Sequence, residues 1–321
     1  MASPRSVLVL ALVAALALAG CSRGSEDRPN ERARLVLDFQ PNAVHAGIYL
    51  ALERDFDDAE GVTLSVAAPS SSTDSIKLLL SGRTQFAILD IHDLALAREK
   101  GRDIVGVMAL VQVPLAAVMA QPGIARPRDL EGRKVGVTGL PSDDAVLSSI
   151  VHGDGGDPAK VHTVTIGFQA VAALLARRVD GATAFWNAEG VALQAKRPGI
   201  REFKLDDYGA PPYPELVLCV SRETLRDDRP LVAATVSALR RGYEEAIDDP
   251  ESAVEALVDR AHVDRAETER ELDAVSPAFT EGASKYGELD PTELRAWARW
   301  EARFGITKRP PDVARAFAPG F

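Results

Sequence analysis

The chain has 321 residues, of which 46% are apolar, and it carries a formal net charge of −10. That length is enough for two modest domains or one large domain. The acidic balance argues against a nucleic-acid partner. One of the two cysteines is the predicted lipidation site described next, so Cys219 has no partner for a structural disulfide or for a cysteine-based metal site.

The first twenty residues have the pattern of an exported lipoprotein leader. Arg5 precedes an apolar run at 7–19, which is too short to span a membrane, and small residues then lead into Cys21 in a pattern that resembles a bacterial lipobox. We predict a signal peptide at 1–20. The segment 21–33 would then consist of the lipidated Cys21 and a flexible tether. Because no second long apolar run follows, we expect an extracytoplasmic protein that is anchored to the bacterial cell membrane, on its periplasmic side or at the cell surface, by lipid only.

From residue 34 onward, short β-type runs alternate with helical patterns, which is typical of mostly parallel sheets flanked by helices. The predicted strands are 34–39, 62–68, 85–89, 103–111, 111–120, 133–138, 161–166, 182–186, 201–205 and 216–221. The predicted helices between them are 44–55, 71–82, 92–101, 142–153 and 168–179. The C-terminal part reads as nearly all helix, at 231–247, 251–261, 267–279 and 291–304.

Two such α/β series and a helical end predict two lobes with a cleft between them. We place the first lobe at 34–115 plus 217–321 and the second at 116–216, with hinges near 112–120 and 213–221. The helical end would bury its apolar faces on the first lobe. Neither a G-x-S-x-G, a P-loop nor an H-E-x-x-H motif occurs, so we expect no catalytic residue, no metal and no cofactor.

Polar and aromatic residues recur at the carboxyl ends of the predicted strands, where open α/β sheets bind ligands. The first strand ends in Asp38 and Phe39, and the third leads to Asp90 and His92. Two further groups flank strand–helix joints: Asn42, His45 and Tyr49 in the first, and Trp186, Asn187 and Glu189 in the second. Asp38 could instead cap a turn, and His45 could be a packing residue.

Acids and aromatic rings dominate these strand ends, and cations are scarce. Rings offer stacking surfaces, and carboxylates accept hydrogen bonds from N–H groups. The composition of the crevice therefore predicts a ligand that is neutral or positive and rich in N–H donors, and it argues against nitrate, phosphate and sulfonate.

Several motifs resemble one known family in the right order. LDFQPNAVHAGIYLALE is similar to the LDW-x-PN-x-x-H-x-G-x-Y-x-A signature of NMT1/THI5-like substrate-binding proteins for thiamine pyrimidine precursors. The similarity continues through SGRTQFAI, DLEGRKVGV, AFWNAEGVAL and GYEEAIDDPESAVEAL, over about 35–261. The resemblance implies a type II periplasmic-binding-protein fold that closes on a small ligand and delivers it to an ABC permease. We expect a monomer.

The resemblance also implies a pocket and shows where this chain departs from the family. Carried over by position, the pocket residues are Phe39, Asn42, His45, Tyr49, Trp186, Glu189, Tyr213 and Glu215. Phe39 stands where the family has tryptophan, Asp90 replaces an aromatic residue, and His92 replaces a glutamate. The family resemblance makes an aminopyrimidine the expected ligand. Because these departures affect the pocket, riboflavin, or a sulfonate or nitrate as in relatives, remains an alternative.

An enzyme of the same fold is a minor alternative. Eukaryotic enzymes that make the thiamine pyrimidine also carry a histidine near the position of His92. They have a cysteine cluster before the late strand, however, where this chain reads APPYPELVLCV with Cys219 alone.

Overall fold

The structure is a computed structural model that describes residues 30–140 and 142–321. The predicted signal peptide, the lipidation site Cys21 and most of the predicted tether lie outside the described residues. The first strand begins at Glu31, three residues before the predicted boundary of the first lobe.

The described residues contain ten strands, which form two five-stranded sheets. The first sheet has the order β2-β1-β3-β10-β4, and the second has the order β7-β6-β8-β5-β9. The strands are β1 (Glu31–Val36), β2 (Val62–Ala67), β3 (Phe86–Asp90), β4 (Ile104–Ala109), β5 (Ala116–Ala120), β6 (Lys134–Val137), β7 (His162–Thr165), β8 (Gly181–Phe185), β9 (Arg201–Lys204) and β10 (Leu216–Ser221).

Each sheet is mostly parallel, as predicted, with one strand running against its neighbours. In the first sheet β10 pairs antiparallel with β3 and β4, and in the second β5 pairs antiparallel with β8 and β9. Both reversed strands are the first strands after the chain crosses between sheets, at 110–115 and at 205–215. The crossings thus lie slightly before the predicted hinge segments, whose ends at 116–120 and 216–221 are strands.

Helices cover the faces of both sheets, which explains why β4 and β5 are buried along their whole length. The helices are α1 (Ala46–Glu53), α2 (Phe56–Ala59), α3 (Asp74–Leu80), α4 (Ile91–Glu99), α5 (Asp143–Gly153), α6 (Ala170–Leu175), α7 (Val191–Lys196), α8 (Arg222–Asp227), α9 (Arg229–Asp248), α10 (Pro250–Ala261), α11 (Arg265–Val275), α12 (Pro291–Arg303) and α13 (Val313–Ala316). None of the described helices is long and apolar enough to cross a membrane.

Most predicted elements are confirmed, although many of their ends shift by up to five residues. Three of these shifts have local reasons. The first strand stops at Val36, so Asp38 and Phe39 belong to the turn that follows it. The helix predicted to reach 279 changes to a 3-10 turn at Ser276, next to Pro277. The helix predicted at 168–179 ends at Leu175, and Arg177 adopts a left-handed backbone conformation with φ of 53°.

The C-terminal helices pack on the first sheet, as predicted. Leu239, Leu257 and Leu272 share one core with Leu35 and Leu218 of that sheet. The tightest approach is between α9 and α1, the helix that follows the turn at Asp38. Tyr243 of α9 donates a hydrogen bond to the Val44 carbonyl at 2.7 Å, next to the start of α1. This packing fixes α1 and therefore the turn on which part of the site is built.

We expect Gly242→Ala to lower the free energy of unfolding by about 2–3 kcal/mol because it overpacks the contact between α9 and α1. A Cβ atom at Gly242 would lie 2.1 Å from the carbonyl oxygen of Gly47, so backbone has to move. Urea denaturation measures the loss. Gly123→Ala is the matched control, since a Cβ there meets nothing within 4 Å. Equal stability of the two variants would contradict this prediction.

Candidate functional site

An open cavity lies between the two sheets. It encloses about 790 Å³ of space, including part that is open to solvent. The first sheet and its connections contribute Asp38, Phe39, Ser72, Ser75, Ile76, Ile88, Leu89, Asp90, Asp93 and Leu216. The second contributes Ala116, Ala117, Thr138, Leu140, Ser142, Asp143, Val146, Phe168, Thr183, Ala184, Phe185 and Glu189.

The cavity lining is acidic. Five carboxyl residues line it, and none of the lining residues that the structure describes is a lysine, arginine or histidine. The acids are Asp38, Asp90, Asp93, Asp143 and Glu189. Bound anions need donors or positive charge, so this lining favours a ligand that donates hydrogen bonds.

Asp38 is positioned by the turn between β1 and α1. Within this turn Asn42 caps the 3-10 segment Ala43–His45, and its side chain accepts a hydrogen bond from the Val44 N–H at 3.0 Å. His45 is fully buried, and its Nδ1 accepts the Asn42 N–H at 3.3 Å, while its Nε2 lies 2.9 Å from Asp38 Oδ1. Since Nδ1 accepts, the proton is on Nε2, and His45 donates to Asp38. His45 therefore holds a cavity carboxylate in place from behind.

Glu189 approaches the cavity from the second sheet, on a π-helical turn, Trp186–Gly190, that follows β8. Its Oε2 accepts the Phe185 N–H at 3.1 Å. Burial, together with the nearby charge of Asp38, raises the pKa of Glu189 to about 7. Asp38 and Glu189 thus face the same space from different sheets, where a ligand could bridge them.

Asp143 lines the cavity, but its oxygens are already used within the protein. They accept hydrogen bonds from the backbone N–H groups of Thr138, Gly139 and Leu140 and from the hydroxyls of Thr138 and Thr183. Asp143 is also the first residue of α5. Its role is to shape the loop after β6, which leaves the other four acids for a ligand.

Behind the cavity, His92 is the centre of a buried network. Its Nδ1 contacts Glu301 of α12, and its Nε2 lies 3.0 Å from the Tyr213 hydroxyl. Burial opposes its charged form, but Glu301, Asp90 and Glu215 together raise the pKa of His92 to about 10. His92 is therefore protonated at neutral pH.

Glu215 connects this network to both crossings between the sheets. It lies just before β10, and its Oε2 accepts the backbone N–H groups of Leu115 and Ala116 at 2.7 and 2.9 Å. Asp90, His92 and Glu215 place ligand-type atoms within 4.8 Å of one another. Since His92 Nε2 and Glu215 Oε2 already have hydrogen-bond partners, we interpret the group as an ion-pair network that ties the crossings together.

Four of the predicted site residues line the cavity and eight do not. Those that line it are Asp38, Phe39, Asp90 and Glu189. Those that do not are Asn42, His45, Tyr49, His92, Trp186, Asn187, Tyr213 and Glu215. His45, His92 and Glu215 contact lining residues or hold the crossings, so their geometry supports positioning roles.

The expected ligand contact of Trp186 is the largest departure from the prediction. Its indole Nε1 donates to the Pro114 carbonyl at 2.9 Å, and Lys204 Nζ lies 4.1 Å from the centre of its ring. The indole thus packs at the first crossing instead of lining the cavity. Tyr49 is 7% exposed and belongs to the core of the first sheet.

Phe168 is a cavity residue that the sequence analysis missed. It follows β7 as Phe39 follows β1, and the two rings meet edge to face across the cavity with centres 4.6 Å apart. All four residues of β7 are exposed, so no apolar pattern marks this strand end. The sequence signal that could have identified Phe168 is the repeated position, an aromatic residue three residues past the end of a strand.

We expect the free energy of unfolding of the ligand-free protein to fall as the pH rises from about 5 to 8. Burial raises the pKa of Glu189 and of Glu271 to about 7, and that of Asp90 to about 8. The folded state therefore binds more protons than the unfolded state in this range, and stability is lost as these groups ionise.

Chemical denaturation at several pH values measures this slope. Glu271→Gln should flatten it, because this side chain then no longer titrates, whereas the exposed Glu244→Gln is the matched control and should leave it unchanged. Stability that rises between pH 5 and pH 8 would contradict the prediction.

The two mixed sheets, the two crossings and the cavity between them define the periplasmic-binding-protein fold. The alkanesulfonate-binding protein SsuA from Xanthomonas axonopodis pv. citri, bound to MOPS, has the same fold. It superposes with a TM-score of 0.72 at 15% sequence identity, over 91% of this chain and 99% of that chain.

Sequence comparison identifies the family. A family model described as NMT1/THI5 like matches residues 42–253, and the chain belongs to this family. The formylaminopyrimidine-binding protein of Halalkalibacterium halodurans is 33% identical over 256 residues, 78% of each chain. The 4-amino-5-hydroxymethyl-2-methylpyrimidine phosphate synthase of Legionella pneumophila is 24% identical over 231 residues, 70% of this chain and 72% of the relative.

Proposed function

We propose that the protein is the extracytoplasmic solute-binding component of an ABC importer and that its ligand is a thiamine pyrimidine precursor, an aminopyrimidine. The observation that carries this proposal is the cavity lining, which combines two facing phenylalanines with carboxylates and has no cationic side chain among its described residues. The membership of the NMT1/THI5-like family supports it.

An aminopyrimidine matches this lining chemically. Its flat ring can pack against Phe39 and Phe168, and its amino group can donate to Asp38 and Glu189, which come from different sheets. A sulfonate or a nitrate would bring negative charge next to these carboxylates and find no cation. The curated relative at 33% identity is named for binding a formylaminopyrimidine, which supports the same ligand class.

Binding would work through closure of the two proposed lobes, 34–115 plus 217–321 and 116–216. Two contacts already cross the cavity, the edge-to-face contact of Phe39 with Phe168 and the hydrogen bond from the Ser72 hydroxyl to the Thr138 carbonyl at 3.1 Å. A ligand that bridges Asp38 and Glu189 adds contacts made only when the lobes are close. It therefore shifts the population toward the closed form.

The proposed role includes delivery to a permease by a monomer held at the membrane through lipid on Cys21. The leader pattern and the tether length support this anchor, and the closed form is the one a permease would receive. Metabolic labelling with a radioactive fatty acid tests the anchor, since Cys21→Ala should abolish incorporation.

A binding role is favoured over the synthase activity for which some relatives are named. Cys219 is fully buried in β10, and burial raises the pKa of its thiol, so it offers no thiolate for chemistry. The nearby His92 is occupied by Glu301 and Tyr213. We therefore assign His92 to the buried ion-pair network at the crossings and not to a catalytic role.

A thermal-shift screen of the purified protein tests the ligand class. The panel contains aminopyrimidine thiamine precursors, riboflavin, nitrate and an alkanesulfonate. A ligand at 100-fold its Kd stabilises the folded state by about 2.7 kcal/mol, which such a screen detects. Stabilisation by aminopyrimidines alone supports the proposal, whereas stabilisation by the sulfonate or nitrate would overturn it. Stabilisation by riboflavin alone would keep the carrier role and change the ligand.

A further inference from the structure

Asp93 is a buried acid with an unused oxygen in the wall of the cavity. It lies in the first turn of α4, is 3% exposed and lines the cavity. Its Oδ1 is buried and has no hydrogen-bond partner in the part of the chain that the structure describes. A buried oxygen left without a partner is costly, so a native site that keeps one has a reason to do so.

Asp90 brings a second carboxyl group to the same turn. Its side chain accepts the backbone N–H of His92 at 2.7 Å and caps α4, and it also lines the cavity. Burial raises the pKa of Asp93 well above its usual range, and the charges of Asp90 and Asp143 raise it further. The charge of His92 and a hydrogen bond from the Ser142 hydroxyl lower it. By contrast, Asp38 is the charge that acts on Glu189. The cavity acids therefore divide into two groups, Asp38 with Glu189 and Asp90 with Asp93.

The positive charge that acts on the second group, His92, is already used within the protein. His92 lies behind Asp90 and is hydrogen-bonded to Glu301 and Tyr213. In addition, Glu215 Oε1 lies 3.7 Å from His92 Nε2. Asp143, across the cavity, has its oxygens occupied by Thr138, Gly139, Leu140 and Thr183. An ammonium group would supply the missing hydrogen-bond donor to Asp93 Oδ1. Its positive charge would also favour the ionised form of both acids.

We propose that Asp93, together with Asp90, forms a second anchoring point that binds an ammonium group on the ligand. The preferred ligand is then an aminopyrimidine with a protonated aminomethyl arm, instead of one with a neutral hydroxymethyl or formylated arm. This proposal rests on the proposed function, because it assigns the ring amino group to Asp38 and Glu189 and the arm to Asp93.

Three ligands that share one ring separate these possibilities. They are 4-amino-5-aminomethyl-2-methylpyrimidine, its N-formyl derivative and the 5-hydroxymethyl analogue, each titrated by calorimetry into the protein at pH 7. Hydrogen bonds to charged groups correspond to roughly a tenfold to hundredfold change in affinity. We expect the aminomethyl compound to bind the unmodified protein at least about tenfold more tightly than either neutral analogue.

Asp93→Asn tests the residue directly. It should reduce the preference for the aminomethyl compound to within about threefold, while the affinity for the hydroxymethyl analogue changes little, because the ring contacts remain. Asp90→Asn is the second variant if Asp93→Asn does not fold, and it should reduce the same preference. The exposed Asp207→Asn is the matched control and should retain the preference.

The outcomes distinguish this proposal from the proposed function. Tightest binding of the formylated or hydroxymethyl compound by the unmodified protein would overturn the ammonium site and leave the aminopyrimidine carrier intact. Equal weakening of all three ligands by Asp93→Asn would also overturn it, since a structural role of Asp93 predicts that result. Failure of all three pyrimidines to bind would instead contradict the proposed function itself.

Discussion

Replacing Glu301 with alanine should lower the free energy of unfolding by about 3–5 kcal/mol, because it leaves a buried charge without its partner. His92 and Glu301 are both fully buried, and the surrounding acids raise the pKa of His92 to about 10. His92 would then keep its charge in a dry site or lose its proton on folding. Either outcome lowers the free energy of unfolding, and urea denaturation at pH 7 measures this loss.

Two variants make this result specific. Glu301→Gln keeps an oxygen that can accept from His92 Nδ1, so we expect a smaller loss than for alanine. Glu293→Ala removes a half-buried glutamate at the start of the same helix and should cost much less. If Glu301→Ala and Glu293→Ala destabilise the protein equally, the network around His92 does not stabilise the fold as we expect.

Replacing Glu189 with alanine should weaken aminopyrimidine binding by about 2–5 kcal/mol, which is at least a thirtyfold loss of affinity. Glu189 is the cavity acid of the second sheet that remains for a ligand, since the oxygens of Asp143 are used within the protein. Its loss removes a charged acceptor for the ligand amino group. Calorimetric titration measures the loss. Glu189→Gln retains an oxygen acceptor and should give an intermediate affinity, and the exposed Glu244→Ala should bind like the unmodified protein.

The pH dependence of binding gives a second test of the same residue. Because the pKa of Glu189 is raised to about 7 in the empty cavity, part of the protein carries a neutral Glu189 at pH 6. An N–H donor prefers the carboxylate, so affinity should rise between pH 6 and pH 8, and Glu189→Gln should reduce this rise. Unchanged affinity of Glu189→Ala at every pH would contradict the role of this side chain in binding.

The fold was predictable from the sequence because its signals are local. Apolar runs of strand length alternate along the chain with helical patterns. Each switch from a strand to a helix is visible as a change in the spacing of the apolar residues. The predicted end of the first strand was wrong by three residues, as strand ends depend on which neighbours pair: β1 pairs with β2 from Glu31 to Val36.

The site was predictable where a strand end alone determines it. Asp38, Phe39, Asp90 and Glu189 line the cavity, and all four lie at or just beyond strand ends. The direction in which a side chain points could not be predicted in the same way. Trp186 lies in a π-helical turn, whose irregular geometry aims the indole at the Pro114 carbonyl, and no pattern in the sequence indicates that turn.

The partners of His92 were beyond the reach of sequence reasoning. Glu301 is 209 positions away, on a helix whose two tryptophans identify it only as core. Neither the spacing nor the residue types indicate that this glutamate reaches the first turn of α4. Such a pairing arises from how α12 packs, which is a property of the whole fold.

The most direct test of the ligand assignment is a crystal structure of the protein with the tightest-binding aminopyrimidine. We expect the ring to occupy the cavity between the two sheets and to contact Phe39 and Phe168. Its amino group should lie within hydrogen-bonding distance of Asp38 or Glu189. A ring stacked on Trp186, or a ligand outside this cavity, would contradict the assignment of this cavity as the binding site.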